Sequence, residues 1–211
     1  KKIMALATYN EVAFMQFSGD LINGYCLHPD DINVQYANWK KAVEPFAHYF
    51  PLYISMGNHE ALNRLFVSEE EKGQFMIDRF PFETESSEAV FAQNFVNPEN
   101  GPESEDGASY DPKEETIDFP SYKENVFYYT YDNVAVIVMN SDYWYAPTTG
   151  GIPYSDGGLH GYIMDQQLAW FEKTVLELEE NEAIDHVFIT QHTPFFPNGG
   201  HVGDDMWYRG N

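Results

Sequence analysis

The chain has 211 residues, 43% hydrophobic and 17% aromatic, with 34 acidic against 11 basic residues and a net charge of −23. That length suits one domain with a sizeable core, and the aromatic load argues against a disordered acidic chain. Eleven dispersed Lys and Arg argue against a nucleic-acid face or a polybasic membrane patch, the single Cys26 excludes an intrachain disulfide, and no apolar run approaches the roughly 20 residues that span a bilayer.

Taken in order, the predicted elements alternate. Val12 to Phe17 is an apolar run entering Ser18-Gly19-Asp20, which reads as a buried strand followed by a loop. Asp30 and Asp31 are candidate N-caps of a helix with Tyr36, Trp39, Val43 and Phe46 at helical spacing, which Pro45 is expected to end or kink. Leu52 to Met56 is the next strand, and it enters Gly57-Asn58-His59-Glu60. From Glu83 to Glu115 there are ten acidic residues and one Lys, broken by Pro98, Gly101, Pro102, Gly107 and Pro112. This composition predicts a long, solvated insertion over residues 83–120. Val126 to Tyr131 and Val134 to Met139 flank Asp132-Asn133, a strong hairpin signal. Leu168, Phe171, Val175 and Leu178 mark an amphipathic helix. Val187 to Thr190 reads as another buried strand, ending at Gln191-His192-Thr193-Pro194. Strand, helix and strand with polar residues at each strand's C-terminal end describe an α/β sheet with its site at that edge.

Three strand ends thus deliver Asp20, then Asn58 and His59, then His192. Each alone is an ordinary turn or loop; together, each after an apolar strand, they are far more specific. Asp, Asn and His form a ligand set that suits Mn, Fe or Zn better than Ca or a thiolate-rich zinc site. Two such metals, roughly 3.5–4 Å apart, clamp a phosphate and activate a water for in-line attack.

In these motifs the chain resembles the calcineurin-like metallophosphoesterase superfamily, which includes purple acid phosphatases and many bacterial phosphohydrolases. Gly19-Asp20, Gly57-Asn58-His59-Glu60 and Gln191-His192-Thr193-Pro194 stand in that family's order. The resemblance implies a four-layer α/β/β/α sandwich: one domain over residues 1–211, interrupted by the acidic insertion. It also implies a phosphoesterase that hydrolyses a phosphate ester with a hydroxide activated by two divalent or mixed-valence transition metals; the net charge of −23, which repels large polyanions, favours a small ester. Asp20 resembles the carboxylate that bridges both metals; Asn58 and His192 resemble ligands of the second. His59 resembles the catalytic residue that contacts phosphate and protonates the leaving oxygen, with Glu60 beside it to orient it. His201, in the Gly-rich loop after His192, resembles a substrate-facing histidine, and Asn23 is a further candidate for a hydrogen bond near the phosphate.

The departures shape the expectation. The family's Asp-x-His is expected before Lys1 and its Gly-His-x-His beyond Asn211, since Gly200-His201-Val202-Gly203 has a Gly in place of the second His. The expectation is a fragment of a longer enzyme that binds metal poorly and turns over little substrate. Asn23 stands where purple acid phosphatases carry a metal-binding Tyr, so the generic bacterial members are the better match. A non-catalytic binding module, or a phosphodiesterase or pyrophosphatase on the same site, are the alternatives. Asp142 ends a strand at the same edge, but no family motif supports it as a ligand, and a turn role is the better reading. Arg64 and the pairs Trp144-Tyr145 and Trp207-Tyr208 are weaker candidates for phosphate or cleft contacts; His28, His48, His160 and His186 read as surface or core-edge residues. The acidic, aromatic-rich composition leans towards a secreted or periplasmic bacterial protein without membrane insertion.

Overall fold

A computed structural model describes residues 1–24, 29–61, 84, 86–109, 118–143 and 161–196. Helices and strands alternate in an α/β arrangement: α1 (Lys2–Tyr9), β1 (Met15–Phe17), α2 (Pro29–Ala47), β2 (Leu52–Ile54) and α3 (Asn58–Ala61), then α4 (Ser87–Asn94), β3 (Phe127–Tyr131), β4 (Val134–Val138), α5 (Asp165–Glu179) and β5 (His186–Thr190). No helix among the described residues is long and apolar enough to cross a membrane.

Two small sheets form. β1 and β2 pair in parallel, with Met15 opposite Leu52 and Phe17 opposite Ile54. In the second sheet β4 lies between β3, to which it is antiparallel, and β5, to which it is parallel. The hairpin forms as the pattern predicts, and Asp132 takes the left-handed conformation at its turn (φ +51°).

Packing follows the two-residue period of the strands. Ile32, Tyr36 and Val43 of α2, with Trp39, cover one side of β1–β2 through Phe17, Leu52 and Ile54. Phe14 and Tyr53 face the other way and meet Phe127, Tyr129, Val136 and Val138 of the second sheet. There the Tyr53 and Tyr129 rings stack at 3.5 Å. The alternate residues Ala135 and Ile137, with Met139, pack on Phe171, Val175 and Leu178 of α5. An apolar run buried on both faces is what a central strand needs. Within the first sheet Gln16 Nε2 donates to Ser55 Oγ (2.8 Å), and between the sheets the Tyr129 hydroxyl donates to Gln16 Oε1 (3.2 Å).

Several expectations change. The described part of the acidic stretch is only partly solvated. Ser86 accepts the Ala89 N–H and caps α4, and Val90, Phe91 and Phe95 of this segment are buried in the α2 core. The fully buried Glu105 caps α5: its carboxylate accepts the Gln166 and Gln167 N–H groups (2.9 Å each) and the Tyr122 hydroxyl (2.7 Å). Charge count hid an apolar face and a cap. β5 is not a buried strand either, since it lies at a sheet edge with Phe188 59% and Ile189 44% exposed. Beside it an open groove of about 500 Å³ is lined by Met139, Leu168, Phe171, Ile189 and Phe195 among others, and Leu168 faces that groove. α2 begins at Pro29, so Asp30 and Asp31 lie in its first turn, near the positive end of the helix dipole. It passes Pro45 and ends at Ala47.

Candidate metal centre

The C-terminal ends of β1, β2 and β5 bring their polar residues together. The turn after β1 is tight: Gly19 (φ +97°) and Asp20 (φ +57°) are both left-handed. A Cβ on Gly19 would stand 2.6 Å from the Gly57 backbone, so the β1 and β2 turns touch, as only glycine allows. A Cβ on Gly57 would stand 2.5 Å from Asp20 Oδ1 and 3.0 Å from His192 Cγ. Both glycines of the motifs serve this approach.

Glu60 fixes the turn. Its buried carboxylate accepts four backbone N–H groups: Gly57 (2.7 Å), Asp20 (2.8 Å), Leu21 (2.8 Å) and Ile22 (3.3 Å). Burial pushes its pKa up to about 7, against the N–H donors that favour the anion. The Asp20 charge adds to the rise. Glu60 therefore positions Asp20; the His59 ring is held instead by the Asn23 carbonyl, at 2.7 Å from Nδ1. The described role of Asn23 at the site is thus a backbone one.

Asp20, Asn58 and His192 converge. His192 Nε2 lies 2.9 Å from Asn58 Oδ1 and 3.3 Å from Asp20 Oδ2. Asp20 Oδ1 accepts the His59 N–H at 3.2 Å. His192 Nδ1 lies 2.8 Å from the Ser18 carbonyl, which can only accept, so Nδ1 carries a hydrogen. In the neutral ring Nε2 then presents a lone pair to two oxygens. A proton on Nε2 would be donated to these oxygens, and a metal ion in its place would meet the same donors. The proton has a physical signature. Burial lowers the His192 pKa, but the Asp20 hydrogen bond, the charges of Asp142 and Asp20 and the Ser18 carbonyl outweigh it and lift it to about 9. Burial raises the Asp20 carboxyl, yet its bonds and charge interactions with His192 and His59 hold it below the usual carboxylate range.

The donor set fits a transition metal: one carboxylate, one amide oxygen and one imidazole whose far nitrogen is already oriented. The amide is essential to that fit, because among the described residues no group of three His, Cys, Asp or Glu side chains gathers as a metal site. The structure brings Asp20, Asn58, His59, Glu60 and His192 together, with Asn23 beside them. His201 lies outside the described residues, as do Arg64, His28, His160, Trp144, Tyr145, Trp207 and Tyr208. His48 and His186 are surface residues. Two contributors carried no sequence signal of their own, the Ser18 carbonyl and the buried Thr193. Asp142 was visible at its strand end, but its burial beside Thr193 was not. The chain matches no protein-family model and no curated protein.

Proposed function

We propose that the chain is a metal-dependent phosphoesterase, of the calcineurin-like metallophosphoesterase kind its motifs resemble. The observation that carries the reading is the convergence of Asp20 Oδ2 and Asn58 Oδ1 on His192 Nε2. The packing order supports it: α2, the β1–β2 sheet, the β3–β4–β5 sheet and α5 follow one another as in a four-layer α/β/β/α sandwich. Asp20, Asn58 and His192 would hold one metal, with Asp20 shared with a second. Mn, Fe or Zn bound there supplies Lewis-acid stabilisation of phosphate charge and a more acidic water.

The chain's own residues do the rest. Glu60 and the paired glycines hold the Asp20 turn rigid. The Ser18 carbonyl keeps the His192 hydrogen on Nδ1 and leaves Nε2 for the metal. The Asn23 carbonyl holds Nδ1 of His59 and leaves Nε2 as the ring atom that would pass a proton to an alkoxide leaving from phosphorus. The substrate in this reading is a small phosphate ester. In the complete protein, Asn58→Ala and His192→Ala are each expected to lower bound metal, by elemental analysis, and hydrolysis of 4-nitrophenyl phosphate at least a hundredfold. Unchanged metal content and hydrolysis in both variants would refute the reading.

A further inference from the structure

We propose that Asp142 and Thr193 form a positioning pair for His192, through which a buried carboxylate behind the site sets how tightly it holds a divalent cation; the inference rests on the metal-centre reading above. Asp142 follows β4 and is fully buried. Ser141 Oγ donates to its Oδ2 at 2.8 Å, and the Thr193 hydroxyl lies 3.3 Å from Oδ1 and 3.4 Å from Oδ2. Ser141 Oγ in turn accepts the Thr193 N–H at 3.0 Å. Asn140 completes the unit. Its Oδ1 accepts the Asp142 N–H (2.9 Å), and its own N–H donates to Gln167 Oε1 (2.8 Å), which ties the unit to α5. The residue immediately after His192 is therefore gripped at backbone and side chain by two consecutive residues of the neighbouring strand end.

A turn would not require a carboxylate here. An asparagine would fill the same space and keep one acceptor oxygen. What the carboxylate adds is charge, and a buried charge is retained at a cost. In a low-dielectric surround it also reaches further than at the surface. Placed one residue from His192, across the Thr193 hydroxyl, it favours a cation among Asp20, Asn58 and His192, and it holds the loop that carries the imidazole.

The test is calorimetric titration of the complete protein with Mn²⁺ alone, beside thermal unfolding of the metal-free protein. Asp142→Asn is expected to weaken Mn²⁺ binding roughly 10- to 100-fold, with little change in the unfolding midpoint. Thr193→Val is expected to weaken it similarly, and Thr193→Ser, which keeps the hydroxyl, to restore it. Wild-type Mn²⁺ affinity in both Asp142→Asn and Thr193→Val would overturn this proposal and leave the metal centre standing. No Mn²⁺ uptake by the unsubstituted complete protein would overturn both. Should Asp142→Asn fail to fold, the contrast between Thr193→Val and Thr193→Ser decides: equal affinities overturn the proposal.

Discussion

Around Asp20 the side chains do what the backbone alone cannot. Of the two successive left-handed residues Gly19 is free to adopt that conformation and Asp20 is not, and the Glu60 carboxylate compensates by collecting four N–H groups of the two turns. His192 then couples the site to pH. Its folded pKa, about 9, lies above the ordinary histidine value of 6.5. The protonated ring therefore stabilises the metal-free fold fully below about pH 6.5, and that contribution is lost as pH rises through about 9. Denaturation by urea in the presence of chelator should show a loss of order 2–3 kcal/mol between pH 6.5 and 9.5; equal or greater stability at pH 9.5 would contradict this. Much of the site was legible in the sequence, because Asp20, Asn58, His59 and His192 each stand directly after an apolar strand. The duty of Glu60 was not legible. Its neighbour in sequence is His59, but its bonds run to Asp20, Leu21 and Ile22 on another turn.

The elements divide in the same way. The β3–β4 hairpin could be read directly, since Val134 to Met139 alternates between two packed faces and Asp132 tolerates the turn. α4 could not, because ten acidic residues outweighed the apolar face of Val90, Phe91 and Phe95. Nor could the edge position of β5 be read, because an apolar run looks alike whether or not a neighbour covers it. The cap of α5 was hidden by distance. Glu105 lies 61 and 62 residues before the Gln166 and Gln167 N–H groups it accepts. Glu105→Ala would leave those donors and the buried Tyr122 hydroxyl without their acceptor. It should cost about 2–4 kcal/mol of stability in urea denaturation; a loss below about 0.5 kcal/mol would show that the cap is dispensable.

At the scale of the whole molecule, a net charge of −23 sets the chain against itself. Like charges repel more in the compact state than in the expanded one, and salt screens that repulsion. The thermal midpoint of the metal-free chain should therefore rise by several degrees between low and molar KCl; a flat or falling midpoint would contradict the argument. Within that negative field the fold gathers a carboxylate, an amide oxygen and an imidazole at the adjoining ends of two sheets. Anomalous diffraction from crystals soaked in Mn²⁺ tests this most directly. A Mn peak is expected within bonding distance of Asp20 Oδ2, Asn58 Oδ1 and His192 Nε2. Ordered Asp20, Asn58 and His192 side chains with no Mn peak among them would contradict it.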